Sequence, residues 1–168
     1  MVQLNYLTLG LLACLVSSAV SIPMPWPLSS LFPRQASGQQ IRGVRDPIYH
    51  LYLQDLDGKP VLGPEESADT FDISGTIQST TTGLYLTIGE SDASYMPITW
   101  SEEGTTTAWG LEGDTIITTQ SSSYGRQLNW VVCADETSGY YDIYLQTGAD
   151  VPPGDCSNYQ TLHLPCLC

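Results

Sequence analysis

The residues that could carry acid–base chemistry in this chain are two histidines and many carboxylates. The 168-residue sequence has only His50 and His163, and both lie in alternating runs, YHLYL and LHLP. A serine hydrolase needs a histidine base between a serine nucleophile and an orienting carboxylate. No G-x-S-x-G turn is present to supply that serine. Because histidines in such runs are more often surface or core residues, the sequence does not favour a catalytic histidine.

Carboxylates could instead serve a glycoside hydrolase, which places two of them about 5 to 9 Å apart across a cleft. Most acidic residues here fall in turns, where short polar side chains are common. The candidates that could face inward are Asp72, Glu112, Asp114 and Asp142. None of the four lies in a glycosidase motif, so a small acidic glycoside hydrolase is the minor alternative and no catalytic residue is predicted.

Metal and cofactor sites are not predicted either. The stretch DLDG (55–58) resembles the start of a calcium loop, but Pro60 and Pro64 interrupt the pattern that such a loop requires. Asp-Gly between apolar runs is instead typical of a tight hairpin turn. We therefore expect DLDGK to join two strands.

Cysteines indicate an oxidising compartment. Cys14 lies in the N-terminal apolar run, which leaves Cys133, Cys156, Cys166 and Cys168. An even number in an exported chain predicts two disulfides. A bond between Cys166 and Cys168 would be strained. Two pairings remain, namely 133–166 with 156–168, or 133–168 with 156–166, and each would fasten the C-terminal strand.

Tyrosines are the candidate ligand-binding residues. Five of them alternate with leucine or isoleucine, so that some should face outward in a row: Tyr49, Tyr52, Tyr85, Tyr141 and Tyr144. Sugars bind to exposed aromatic faces flanked by planar polar side chains. Alternatively, the same rings could cover the rim of the core with their hydroxyls in water. The Q-x-W motif of ricin-type lectins is absent.

The N-terminal region is expected to lie outside the folded domain. The apolar run LTLGLLACLVSSAVS, followed by Ile22, predicts a secretory signal peptide over residues 1–21. It is shorter than the roughly 20 apolar residues of a membrane span. Residues 22–45 are rich in Pro, Ser, Gln and Gly and are predicted to form a disordered linker or propeptide, with a monobasic processing point after Arg34. The folded domain is predicted over 46–168.

Charge excludes two classes of partner. Segment 46–168 holds all 18 acidic residues and only Lys59 and Arg126, so its formal charge is 2 − 18 = −16. Such a surface repels the phosphates of nucleic acids and anionic membranes. We expect neither a nucleic-acid partner nor, once the signal peptide is removed, a membrane partner. The partners that remain are a cell-wall polysaccharide (glucan or chitin) or an extracellular protein.

The segment 46–168 is predicted to be all-β. About ten short runs rich in Tyr, Ile, Val, Thr and Trp alternate with turn residues, and none has helical spacing. These runs are 48–54, 60–62, 70–78, 83–89, 95–100, 107–113, 115–120, 127–133, 141–147 and 160–166. The recurrence of LYLQ (51–54), LYLT (84–87) and IYLQ (143–146) would suit a β-trefoil-like barrel. A β-sandwich is the alternative.

The C-terminal third resembles a known family. In RQLNWVVCADETSGYYDIYLQTGADVPPGDCSNYQTLHLPC (126–166) a strand ends in a cysteine, a turn leads to an aromatic strand, and a Pro-Gly stop precedes a second cysteine and a closing apolar strand. With TAWGLEGDTIIT (107–118) upstream, this order resembles the C-terminal domain of fungal secreted cell-wall proteins, the PIR-type mannoproteins and their PhiA-like relatives. The resemblance covers residues 105–168 and implies an extracellular, wall-associated β-domain. The glutamine-containing repeats that attach PIR proteins to glucan are absent.

Together these patterns predict a secreted, non-catalytic β-domain with a structural or polysaccharide-associated role in the cell wall or extracellular matrix. A secreted effector or a lectin-like protein is the alternative. Exposed aromatic rings would favour a ligand surface, whereas buried rings would favour a purely structural domain.

Overall fold

The computed structural model describes residues 35–118 and 129–165, all within one compact unit, Leu31–Cys168. The predicted signal peptide, Arg34, Arg126, Cys166 and Cys168 lie outside the described residues. Among the residues that are described, no helix is long and apolar enough to cross a bilayer.

The described residues form a curled antiparallel sheet, which confirms the all-β prediction. They include no α-helix and a single 3-10 turn at Glu65–Ser67. Their fourteen strands are β1 (Ala36–Gln39), β2 (Arg42–Gly43), β3 (Tyr52–Leu56), β4 (Lys59–Gly63), β5 (Phe71–Ile73), β6 (Ile77–Ser79), β7 (Tyr85–Ile88), β8 (Tyr95–Ser101), β9 (Trp109–Glu112), β10 (Thr115–Thr118), β11 (Asn129–Ala134), β12 (Tyr141–Gln146), β13 (Cys156–Gln160) and β14 (Leu162–His163).

The described part of the chain thus has four strands beyond the ten predicted. The run TFDISGTIQ holds two strands, since β5 turns into β6. Strand β13 begins at a cysteine that the predicted run 160–166 does not include. The other two, β1 and β2, fall in the predicted linker, residues 22–45. The prediction that this segment is disordered is therefore wrong for residues 35–45, the part that the structure describes. These strands pair with β5, β3 and β14 and bury Ile41 in the core, contacts that composition alone does not reveal.

The predicted hairpin at DLDGK is confirmed. Leu56 pairs with Lys59 across the two-residue turn Asp57–Gly58. Both turn residues have positive φ, 53° and 85°. Two successive positive φ angles match the right-handed twist of the flanking strands, which is why Asp-Gly occurs in this turn type.

Strand β8 belongs to two parts of the sheet. Its first residues, Tyr95–Pro97, pair with β12, and its last, Ile98–Ser101, pair with β7. From β12 the path continues through β4, β3, β2 and β14 to β10 and β9. Only Thr161 separates β14 from β13, which pairs with β11 beside β12, so the sheet curls until its path returns to β12.

The three recurring segments LYLQ (51–54), LYLT (84–87) and IYLQ (143–146), here called the Tyr-Leu repeats, all contribute to the core. The leucines Leu53, Leu86 and Leu145 are at most 1% exposed and belong to one apolar cluster. Trp109 and Trp130 stack in the same cluster, with ring centroids 6.0 Å apart.

The disulfide prediction requires a correction. Cys133 is bonded to Cys156, so both predicted pairings, which joined each of these cysteines to Cys166 or Cys168, are wrong. The reason is the strand register, because the two residues are direct partners on β11 and β13 with Cα atoms 4.0 Å apart. Strand β13 lies outside the predicted runs, so the pairing of Cys133 with Cys156 does not follow from them.

Candidate functional site

The five tyrosines of the predicted ligand surface do not form an exposed row. Tyr52 is 4% exposed, which rules it out as a contact residue, whereas Tyr49 is 57% exposed. Tyr85, Tyr141 and Tyr144 are half-buried. Each is covered for a local reason: Tyr85 lies beside Gly104, Tyr141 packs on the core, and Tyr144 meets Tyr95 edge to face. Of the predicted set, only Tyr49 presents most of its ring to solvent.

A different set of apolar side chains is exposed. Among the described residues, the large apolar side chains that are exposed are Val44, Tyr49, Val151 and Tyr159. Val44 and Tyr49 lie on the loop between β2 and β3, and Tyr159 lies on β13, to which that loop is bonded. We call Val44, Arg45, Tyr49, His50 and Tyr159 the aromatic surface.

The buried side chain of Ile48 anchors the loop that carries Tyr49. This side chain is 0% exposed and lies directly against Gly43, where a Cβ atom would overlap the carbonyl oxygen of Ile48. The Ile48 amide donates to the Arg45 carbonyl at 3.1 Å, and the Gly43 amide donates to Leu51 at 2.9 Å. The loop therefore holds Tyr49 outward on a rigid base.

Gln160 connects this loop to β13. Its side chain is 2% exposed. Its Oε1 accepts a hydrogen bond from Arg45 Nε at 3.1 Å, and its Nε2 donates to the Asp46 carbonyl at 3.2 Å and to Ser157 Oγ at 2.9 Å. A buried amide whose oxygen and nitrogen are both bonded specifies one arrangement of the groups around it. Arg45 and Tyr159 are thereby held on neighbouring segments.

A β-bulge turns Tyr159 to solvent. Trp130 pairs with Gln160 and Val132 pairs with Ser157, so two residues of β13 oppose Val131 alone. Tyr159 takes φ 56°, and its amide donates to Gln146 Oε1 at 3.1 Å. A positive φ is unusual for a bulky residue, and bulges re-aim side chains near functional sites.

His50, on the loop between β2 and β3, has the same unusual backbone conformation as Tyr159. It has φ 58°, and its ring meets that of Tyr49 edge to face with centroids 4.1 Å apart. Two of the three non-glycine residues with positive φ among the described ranges therefore lie on the aromatic surface, the third being Asp57 in its hairpin. Such strain persists where the surrounding structure imposes it, and it concentrates at binding sites.

Positive charge is also concentrated here. The basic residues within the described ranges are Arg42, Arg45 and Lys59. Lys59 is occupied, because its ammonium pairs with Asp135 at 3.1 Å and with Asp142. No described carboxylate forms an ion pair with either arginine. Arg45 is exposed, next to the equally exposed Asp46.

The carboxylates predicted as hydrolase candidates have separate partners. Asp142 pairs with Lys59, and Asp72 accepts hydrogen bonds from Ser37 Oγ at 2.6 Å and the Gly38 amide at 2.9 Å, which lower the pKa of Asp72. Glu112 is exposed at the end of β9, and Asp114 lies in the following turn.

Asp135, a further carboxylate beside Lys59, accepts hydrogen bonds from the Thr137 amide and from Lys59, which lower the pKa of Asp135 to about 2. A glycosidase acid needs a raised pKa, and neither Asp72 nor Asp135 has one.

His163 joins β14 to the turn before β10. Its Nδ1 lies 3.2 Å from Thr115 Oγ1 and 3.4 Å from Asp114 Oδ1, and its Nε2 lies 2.9 Å from Thr161 Oγ1. The Leu164 amide donates to the Asp114 carbonyl at 2.8 Å beside it. These bonds fasten β14 to the β9–β10 hairpin. The other histidine, His50, belongs to the aromatic surface.

The described ranges hold no group of three or more His, Cys, Asp or Glu side chains placed to bind a metal ion. Comparison with known proteins found no matching family model, no matching curated protein and no matching solved structure.

Sequence reasoning missed Tyr159, Arg45 and Gln160. Arg45 was assigned to the linker, and Tyr159 fell outside the alternating runs. The segment GDCSNYQ gave one usable signal, since it places an aromatic residue among small polar residues directly before a predicted strand. The bulge itself follows from the register of β11 and β13 and has no local sequence signature.

Proposed function

We propose that this chain is a secreted, non-catalytic β-domain of the fungal cell wall or extracellular matrix, with a structural or polysaccharide-associated role. Secretion is supported by the signal-like residues 1–21 and by the disulfide. The wall assignment is supported by the resemblance of residues 105–168 to PIR-type and PhiA-like proteins. A trefoil-like arrangement is in keeping with the three Tyr-Leu repeats, which direct their leucines into one core.

The observation that carries the polysaccharide role is the aromatic surface. Tyr49 and Tyr159 are both more than half exposed and lie on segments joined through Gln160. Exposed aromatic rings and the exposed guanidinium of Arg45 offer stacking faces and hydrogen-bond donors to sugars. Rings held on a rigid base lose little conformational entropy when a ligand binds. A secreted effector that uses the same surface against a protein is the alternative.

Sedimentation with insoluble β-glucan and chitin tests the proposal. We expect the purified protein to sediment with at least one of them. The double variant Tyr49→Ala/Tyr159→Ala should lose at least about tenfold in affinity, since truncating an aromatic anchor can cost 2 kcal/mol or more. The matched control is Val151→Ala, because Val151 is also exposed, at 44%, and lies in the connection between β12 and β13, outside the residues that define this surface.

Two results would refute the proposal. One is absence of binding to either polymer together with recovery of the protein only from culture medium and not from wall extracts. The other is equal loss of binding in Val151→Ala and the double tyrosine variant. Specific capture of one extracellular protein, lost in the tyrosine variant, would favour the effector alternative.

A further inference from the structure

We infer that the aromatic surface selects anionic polysaccharides, with Arg45 as the residue that pairs with a carboxylate or phosphate group on the sugar. This inference rests on the proposed function, since it names the class of glycan that the same surface would bind. It follows from how the few cations of the domain are distributed and from which atoms of Arg45 are already bonded.

The first step concerns charge. Segment 46–168 is strongly acidic, and its described cation, Lys59, lies between two carboxylates. The arginines that no described carboxylate pairs with, Arg42 and Arg45, lie within four residues of each other on β2 and the loop after it. Arg42 is half-buried, so Arg45 is the exposed cation of the aromatic surface that no described carboxylate neutralises.

The second step concerns Arg45 itself. Its Nε bond to Gln160 fixes the plane of the guanidinium through one of its three nitrogens. No described side chain or carbonyl is bonded to its two terminal nitrogens, and the residue is exposed. A fixed planar guanidinium binds a carboxylate or a phosphate through two parallel hydrogen bonds. Tyr159 and Tyr49 then offer stacking faces for the sugar ring that carries the anion.

The third step is whether an acidic protein can bind an acidic polymer. At about 0.15 M ionic strength the Debye length is roughly 8 Å, so exposed carboxylates farther away are largely screened. Asp46 is the carboxylate next to Arg45 along the chain, and it is also exposed to solvent. Asp46 lies within this screening length and repels the anion, so the direct contact with Arg45 must outweigh this one neighbour. At 10 mM salt, with a Debye length of about 30 Å, repulsion by the whole domain is added and weakens binding.

The test compares one polymer in its charged and its neutral form, and adds a second anionic polymer and a neutral glucan. Binding of the full mature protein is measured by titration calorimetry at 0.15 M salt with polygalacturonate, with its fully methyl-esterified form, with phosphomannan and with the neutral β-glucan laminarin. We expect polygalacturonate or phosphomannan to bind at least about tenfold more tightly than the methyl ester, as one charge-assisted bidentate contact allows. The tighter of these two anionic polymers identifies the carboxylate or the phosphate as the ligand.

Variants separate a local site from net charge. Arg45→Gln should abolish the preference for the charged polymer, and Arg45→Lys, which keeps the charge, should retain part of it. Thr81→Asp is the matched control, because it changes net charge by the same amount in the exposed turn between β6 and β7. Its affinity should stay within about twofold of the unmodified protein at a Debye length of roughly 8 Å. Thermal melting of each variant shows that it is folded.

The outcomes separate a failure of this inference from a failure of the proposed function on which it rests. If neither polygalacturonate nor phosphomannan binds more tightly than the methyl ester, or if the preference is unchanged in Arg45→Gln, the anionic-glycan inference is overturned. Equal weakening by Thr81→Asp and Arg45→Gln also overturns it. If laminarin, glucan or chitin still binds through the tyrosines in those cases, the proposed function stands. If no polymer binds, neutral or anionic, both proposals fail together.

Discussion

Removal of the disulfide between Cys133 and Cys156 should destabilise the domain by an amount that follows from the chain separation. The bond joins residues 23 apart in sequence. In the chain-entropy model, a closed loop of that length removes about 11 cal/mol/K from the unfolded chain, or about 3 kcal/mol at 25 °C. The double variant Cys133→Ala/Cys156→Ala should therefore unfold with a free energy about 3 kcal/mol lower. That is a large share of the 5 to 15 kcal/mol typical of a domain.

Urea unfolding followed by tryptophan fluorescence measures this difference, because the buried Trp130 lies on β11 beside the bond. The matched control is Cys166→Ser/Cys168→Ser, which removes two cysteines and leaves the bond in place. Peptide mapping without reduction should recover residue 133 linked to residue 156 in both the unmodified protein and this control. A linkage of Cys133 to Cys166 or Cys168, or a loss below about 1 kcal/mol in the alanine variant, would contradict the strand register on which the reasoning depends.

Three further perturbations test contacts in other parts of the sheet. Asp135 has its pKa lowered from 3.8 to about 2 in the folded protein, so its contribution is present above pH 4 and is lost as pH falls toward 2. Asp135→Asn should reduce the free energy of unfolding at pH 6 by about 1 kcal/mol, a modest value because salt and solvent screen such pairs. In a series of melting curves, the difference from the unmodified protein should shrink as the pH falls and vanish once the pH is below about 2. Trp109→Phe removes the bond from Trp109 Nε1 to the buried Leu86 carbonyl and should cost about 2 kcal/mol in urea unfolding; a change below about 0.5 kcal/mol would mean that this bond contributes little. Gly63→Ala places a Cβ atom against the ring of Tyr140 and should cost about 1 to 3 kcal/mol, and a similar cost in a Tyr140→Ala background would show that the ring is not the cause.

The sequence predicted the location of most strands but not which strands pair with each other. Alternating runs located β3, β4, β7 to β12 and the Asp57–Gly58 turn, because the pleat and the positive φ angles are local properties. It failed at β1 and β2, where only Ile41 is fully buried and the gain comes from backbone bonds to distant strands. Composition cannot show which remote strand offers a free edge.

The site was predicted less well, for a related reason. Alternation correctly separates the two faces of a strand, as Tyr52 and Leu53 show, but it does not say whether the second face is also covered. Tyr52 is buried although it points away from the leucine cluster. Tyr159, by contrast, is exposed because a bulge breaks the alternation. Exposure at both positions depends on long-range register, which no single run encodes.

The shared strand β8 has a consequence for how the domain comes apart. Because Tyr95–Pro97 bond to β12 and Ile98–Ser101 bond to β7, loss of this one strand removes partners from both parts of the sheet at once. We therefore expect the two parts to open together. Amides on β7 and on β12 should therefore exchange hydrogen with similar protection in a native-state experiment, and the domain should melt in one cooperative transition. That cooperativity limits cleavage by proteases, since partial opening is where cleavage usually begins.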